Sequence, residues 1–413
     1  MKDLFNKYVQ SISTYIMFQI RAKANELKPE LEKKNRAPIF LSMGAPIEDP
    51  PKYFLDSLKA ALDEEGIHTY SSPKGEKYFL DAIAQKMKSR FGVELDTKTE
   101  ICSLIGSKEG LANFIRIIIN PTLNDAEKDV LFLPDPGYAS YNQMVTIAGG
   151  KSYPVPLTPE NNFMPNLDIV WENYIKDGGK AEKVKALVIN YPNNPLGATA
   201  TREYYKQCIA FCKKHKILLM SDAAYADLYF DESDRPFSIF EFEGAKDVAV
   251  EFFSFSKPYA MTGCRAGWIC GNKEAIQQFS VLKSTIDNGL YKPMQKACAA
   301  ILLSDEGDKY TKQANINLKK KQDMFVKGMR ELGWPEFYVP NATFYLWMPI
   351  PPRYKTSQEF TDALLETSGI VAVPGHAYGQ YGEGFFRVSI VCSENQIQEC
   401  IDRMKTDGFY YNK

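Results

Sequence analysis

Residues 254–268 read SFSKPYAMTGCRAGW, with Lys257 between small polar residues and Arg265 eight positions later. The stretch follows an apolar run, VEFFSFS (250–256), and leads into another, AGWICGN (266–272). A polar loop between two strands would account for a lone Ser-x-Ser-Lys; the surrounding chain carries the decision. Similar runs occur at EICSLIG (100–106), DVLFLPD (129–135), VKALVINYP (184–192) and ILLMSDA (217–223). Such runs suit strands covered on both faces of a parallel sheet. Helix-like segments at 109–119, 201–215 and 273–287 lie between several of them. This alternation predicts an α/β layered domain.

The chain has 413 residues, long enough for two domains with a large core. We place an N-terminal arm at 1–49, a large α/β domain at 50–300 and a smaller α+β domain at 301–413. The last contains a long helix at 306–332, the strand-like ATFYLWMPIP, a helix near 357–368, and EGFFRVSIV. A net charge of −1 gives no reason to expect nucleic acid or an anionic membrane as partner. No run approaches the roughly 18 apolar residues of a membrane helix. The N-terminal stretch lacks the apolar core and cleavage site of a signal peptide and is read as a folded start. Eight cysteines without a C-x-x-C and only three histidines argue against a metal site. Buried free thiols in a reducing compartment fit better, with the cytoplasm as the default location.

Ligands of open α/β sheets collect beyond the carboxyl ends of the strands. Here those ends are followed by Gly106-Ser107-Lys108, Asp135-Pro136-Gly137-Tyr138, Tyr191-Pro192-Asn193-Asn194, Asp222-Ala223-Ala224-Tyr225 and Ser254-Phe255-Ser256-Lys257. Turn chemistry explains each alone, but not five at one edge. Ser107 and Lys108 open a helix, where backbone N–H groups and the dipole favour an anion. The spacing is not that of a nucleoside-triphosphate loop. A cation at about 4 Å contributes roughly 4 kcal/mol at an effective dielectric near 20, before desolvation. A helix end adds only about 0.3–1 kcal/mol, so cations dominate and the helix end sets position. A lysine beside an aldehyde forms a Schiff base, its standard use with pyridoxal phosphate. Asp222 supplies the carboxylate that keeps a pyridine nitrogen protonated. Asn194 and Tyr225 can donate to a phenolic oxygen, and Tyr138 can cover the ring.

The motifs YPNNPLG (191–197), SDAAYADL (221–228), SFSKPYAMTGCRAGW (254–268) and EGFFRVSI (383–390) occur in the order and separations of one family. The sequence resembles a fold-type I pyridoxal-phosphate enzyme of the class I/II aminotransferase family over nearly its whole length. The resemblance implies a large domain with a mostly parallel sheet between helices, and a smaller α+β domain. It makes Lys257 the Schiff-base lysine that also moves the proton at the substrate Cα. It makes Asp222 the partner of the ring nitrogen, with Asn194 and Tyr225 at the phenolic oxygen and Tyr138 on the ring. Ser107, Lys108, Ser254 and Arg265 match the phosphate cradle. Tyr70, in HTYSSPKG, matches a tyrosine that reaches the phosphate of the neighbouring subunit, which implies a homodimer with shared active sites. Arg387 matches the arginine that grips the substrate α-carboxylate. Gly44, in SMGAPIEDPP, matches a glycine that closes over the substrate, and Tyr15 is a candidate for lining the same pocket.

Such a site supports several reactions. The pattern resembles aminotransferases, which move an amino group between an L-amino acid and a 2-oxo acid such as 2-oxoglutarate. A β-lyase or amino-acid decarboxylase is the alternative. The fold also occurs fused to DNA-binding modules, but the chain is not basic and no such module is recognised before residue 1. Phrases such as GSKEGLANF and PGHAYGQYGEGFFRVSI resemble the branch containing LL-diaminopimelate, alanine and aspartate aminotransferases. Plant-like diaminopimelate enzymes carry a glutamate after the phosphate tyrosine, where this chain has Pro73. Lys74, if turned inward from a partner subunit, favours a distal carboxylate; an exposed loop lysine is the alternative.

Overall fold

The computed structural model describes residue 1 and residues 4–412. Among them the strands are β1 (Ile39–Phe40), β2 (Ile101–Leu104), β3 (Val130–Asp135), β4 (Lys151–Pro156), β5 (Val184–Ile189), β6 (Leu218–Asp222), β7 (Ala249–Ser254), β8 (Gly267–Gly271), β9 (Tyr345–Pro349), β10 (Ile370–Val371), β11 (Val373–Pro374) and β12 (Phe385–Ser389). Seven form one sheet in the order β2-β8-β7-β6-β5-β3-β4. All run parallel except β8, which is antiparallel to both neighbours.

Side-chain alternation explains why this sheet is buried on both faces. Val130 and Phe132 of β3, with Leu187 and Ile189 of β5, pack under the helices Leu167–Lys176 and Arg202–His215. Leu131 and Leu133, with Ala186 and Val188, point the other way, toward the helices Ser107–Ile118, Ser140–Ile147 and Lys273–Ile286. Each fully buried aliphatic or Phe side chain contributes roughly 1.5–3 kcal/mol. Thr201 caps its helix by accepting from the Tyr204 amide, and Asn272 caps the next by accepting from Glu274 and Ala275.

Two features of the sheet depart from the apolar-run reading. β4, KSYPVP, was not expected as a strand. It is a half-exposed edge strand with two prolines, so it lacks the apolar signature of its neighbours. β8 is antiparallel, because residues 255–266 return directly to the sheet without a crossover helix. That reversal starts β8 at the edge where β7 ends, and so brings Arg265 beside Lys257.

The C-terminal part packs the antiparallel strands β11-β12-β9 against the helices Asp305–Glu331, Ser357–Ser368 and Glu394–Thr406. The N-terminal segment joins it: β1 pairs with β10, and Ile39 and Leu41 enter the same core. No helix among the described residues is long and apolar enough to cross a membrane. Seven of the eight cysteines are buried, and Cys208 and Cys212 face the sheet from one helix.

Glu251 of β7 is fully buried among the Ser221 hydroxyl (2.9 Å), the Ser238 hydroxyl (2.5 Å) and the Ile239 amide (3.1 Å), all donating to it. Burial outweighs these donors and pushes its carboxyl up to about 7. The folded protein therefore keeps a proton that the unfolded chain releases above pH 4.5, so this group's contribution to stability falls as pH rises from about 4.5 to 7. Glu251→Gln is expected to flatten that dependence. Melting temperatures of both proteins from pH 5 to 8 test it; parallel curves would refute the assignment.

Candidate active site

The parallel strands β2, β3, β5, β6 and β7 end at one edge of the sheet, and their outgoing loops surround a cavity of about 600 Å³. Ser107 opens the helix Ser107–Ile118 after Gly106, which caps it without a side chain. The Glu109 and Gly110 amides donate to the Gly106 carbonyl, which leaves those of Ser107 and Lys108 for an anion. Gly106 has φ +85°, and a Cβ there would lie 2.3 Å from Nη2 of Arg265. Glycine is required for that guanidinium to lie across the helix start. Arg265 itself has φ +52°, and its Nη1 donates to the Thr262 carbonyl at 2.8 Å. Ser254 lines the same end, its hydroxyl accepting from the Ser256 amide at 3.1 Å.

Lys257 lies three residues beyond β7, and its Nζ donates to the Gly44 carbonyl at 2.5 Å. Burial, with repulsion from Arg387 and Arg265, lowers the amine to about 8, against an opposing pull from Asp222. Asp222 ends β6 and accepts from the Tyr141 hydroxyl at 2.6 Å and the Ala224 amide at 3.3 Å. Burial raises its carboxyl overall, although those donors and Lys257 pull the other way.

Arg387 projects from β12. Phe386 and Val388 point into the C-terminal core, so alternation turns Arg387 to the opposite face, toward the cavity. It is only 3% exposed. Its Nη1 donates to Asn194 Oδ1 at 2.9 Å, and its Nη2 to the Ser42 carbonyl at 2.7 Å. The rings of Tyr345 and Tyr378 lie 4.3 and 5.1 Å from its Cζ. Its Nε has no protein partner, an orphaned buried donor that a carboxylate would satisfy. Tyr225 shares a 2.9 Å hydrogen bond with Tyr345.

The cavity therefore has an anion-binding end, a lysine facing a buried carboxylate, and a buried guanidinium. Residues 37–404 match the protein family described as aminotransferase class I and II. The chain belongs to that family. It is 39% identical to LL-diaminopimelate aminotransferase 2 of Trichormus variabilis, over 99% of this chain and all of that one. Among solved structures, apo-BacF of Bacillus subtilis superposes with a TM-score of 0.91 at 30% identity, covering 99% of this chain and all of that one. Thermus thermophilus aspartate aminotransferase with maleate gives 0.86 at 25% identity, covering 98% and 99%.

In this aminotransferase the cavity gathers Tyr15, Gly44, Ser107, Lys108, Tyr138, Asn194, Asp222, Tyr225, Ser254, Lys257, Arg265 and Arg387. Tyr70 lies outside it and is 85% exposed. Lys74 donates to the Lys98 carbonyl of its own chain, so its amine is engaged away from this cavity. The Lys108 amine sits 5.0 Å from the Tyr15 ring and 5.9 Å from the Tyr138 ring. Burial pushes the Tyr15 phenol up to about 12.

Several contributors had not been singled out. Tyr141 orients Asp222, and Asn190 donates to the Asp222 carbonyl at 2.8 Å while accepting from the Asn194 amide at 2.9 Å. Tyr345 also meets Gly44, where a Cβ would approach its hydroxyl to 2.9 Å. Tyr141 and Asn190 had a local signal, each being polar beside a strand end already implicated. Tyr345, at the start of the apolar strand β9, had none.

Proposed function

We propose that this aminotransferase works with pyridoxal phosphate, transferring an amino group between an L-amino acid and a 2-oxo acid. LL-diaminopimelate is the first donor to test, from the name of its 39%-identical relative, and 2-oxoglutarate the first acceptor. The observation that carries this reading is the convergence of Lys257, Asp222 and Arg387 on one cavity, with the Arg387 Nε left unpaired.

The residues present fit the cofactor. The Arg265 guanidinium that lies across Gly106, the Ser107 and Lys108 amides and Ser254 suit a phosphate. Asp222 suits a protonated ring nitrogen, and Tyr138 the ring face. When bound, the cofactor supplies an electron sink conjugated to the substrate Cα. Lys257 Nζ, when neutral, would hold the cofactor through its aldehyde carbon, the aldehyde oxygen leaving as water, and once released would carry the proton from the substrate Cα. Arg387 holds the α-carboxylate and fixes which Cα bond faces that amine. The Asn194 carbonyl oxygen is taken by Arg387, which leaves its NH₂ group to donate to a phenolic oxygen beside Tyr225. We further propose a homodimer in which exposed Tyr70 completes the neighbouring site; a mass measurement in solution tests the assembly.

Because only the neutral amine is nucleophilic, the rate at which apoprotein reacts with pyridoxal phosphate is expected to rise with pH around a midpoint near 8. A midpoint near the ordinary lysine value would contradict the electrostatics of the site. The function itself is tested by absorbance spectra of holoenzyme before and after single amino acids. Conversion to the pyridoxamine form by particular donors supports aminotransfer and names them. Release of pyruvate or carbon dioxide without that form would move the assignment to a lyase or decarboxylase.

A further inference from the structure

The cavity carries more positive charge than the proposed chemistry uses. Its lining includes Arg21, Lys108, Lys257, Arg265 and Arg387, against the single carboxylate of Asp222 among the described residues of one chain. In the reading above, Arg265 answers the phosphate, Arg387 the α-carboxylate, and Asp222 the ring nitrogen. Lys257 binds covalently, and the Lys108 amine rests against the rings of Tyr15 and Tyr138. Arg21 is left over.

Arg21 is exposed to solvent, but it stands at the rim of this cavity. Arg21 belongs to the helix Ile16–Lys33, and it lines the cavity together with Met17 and Phe18, four and three residues before it. That spacing puts the three on one face. The other face, with Ile20 and Lys23, packs toward the helix Ser357–Ser368. There Lys23 is neutralised by Asp362 and Glu366, both at 2.8 Å. Arg21 has no ion pair among the described residues, and no carboxylate besides Asp222 lines its side of the helix. A planar guanidinium at the mouth of a cationic cavity suits a carboxylate, and the excess charge also attracts dianions.

We propose that Arg21 binds a second carboxylate of the substrate, distal to the reacting amine, and so makes the enzyme selective for dicarboxylic amino acids and oxo acids. This rests on the aminotransfer reading and names its substrate class. It replaces Lys74, whose amine is engaged with Lys98. The role is one of selectivity: Arg21 touches the far end of the substrate, and Arg387 the near end.

The test uses holoenzyme and two unreactive ligands of equal carbon count, glutarate and pentanoate, titrated by calorimetry into the wild type, Arg21→Gln and Arg21→Lys. Arg21→Gln is expected to reduce the glutarate-to-pentanoate affinity ratio about tenfold, the scale of one charge-assisted hydrogen bond. Arg21→Lys should restore part of it, and the kcat/KM ratio for glutamate over glutamine should fall in parallel. A ratio that Arg21→Gln leaves unchanged, or wild type that prefers neutral donors, would overturn the assignment with aminotransfer intact. Wild type converted by no amino acid would remove the underlying reading instead.

Discussion

Lys257→Ala is expected to lower turnover by about four orders of magnitude, the upper range for removing a positioned acid–base group. In the proposed reading the variant loses both the group that bonds to the cofactor and the group that moves the Cα proton, so residual activity cannot come from the second role alone. Cofactor retention is a separate quantity. The anion-binding end, with Arg265 and the amides after Gly106, contains no atom of Lys257 and should still bind pyridoxal phosphate. Equilibrium dialysis beside steady-state kinetics separates the two. Turnover within tenfold of wild type would end the assignment of Lys257.

Asp222→Asn is expected to reduce kcat by about 10²–10³-fold, comparable with losing one preorganised electrostatic partner in a water-excluded site. The substitution preserves shape, and Tyr141 can still donate to the amide oxygen as it now donates to Oδ2 at 2.6 Å. The negative charge is lost, and with it, in the proposed reading, the group that keeps a ring nitrogen protonated; the long 3.3 Å bond accepted from the Ala224 amide is the one other contact given up. Asp222 is buried at 5% exposure, so water does not compensate well. An unchanged kcat, with the melting temperature intact, would mean that the charge of Asp222 is not used.

The legible part of this protein was the part written in consecutive residues. Each strand of the large sheet except β4 announced itself as an apolar run, because both faces of those strands are covered. The groups leaving their ends were visible for the same reason: Ser107, Asn194, Asp222 and Lys257 lie within a few residues of a strand terminus. Residues that reach the site from the opposite face of an element, or from another layer, were harder to read. Tyr345 sits on β9 opposite Ser389, and Ser42 contributes a backbone carbonyl to Arg387. Neither is marked by composition or spacing, since what matters is which strand passes in front of them. Arg21 was overlooked because an arginine on an amphipathic helix is ordinarily a solvated face. Lys74 shows the converse, a loop cation that looked available and is tied to a neighbouring carbonyl.

The direct return of the chain from β7 to β8 has a consequence for how this enzyme tolerates change. Surface loops commonly accept insertions with little cost. Residues 255–266 cannot, since both ends are pinned in adjacent strands, and Phe255, Tyr259 and Met261 are packed into the core between them. The segment acts as a spacer of fixed length between the Lys257 amine and the Arg265 guanidinium. One residue added or removed there would shift Lys257 relative to Arg265 while leaving every side chain chemically intact. Libraries that vary length at this position should therefore yield folded, inactive proteins, whereas the same edits in the exposed Asp231–Asp234 turn should be neutral.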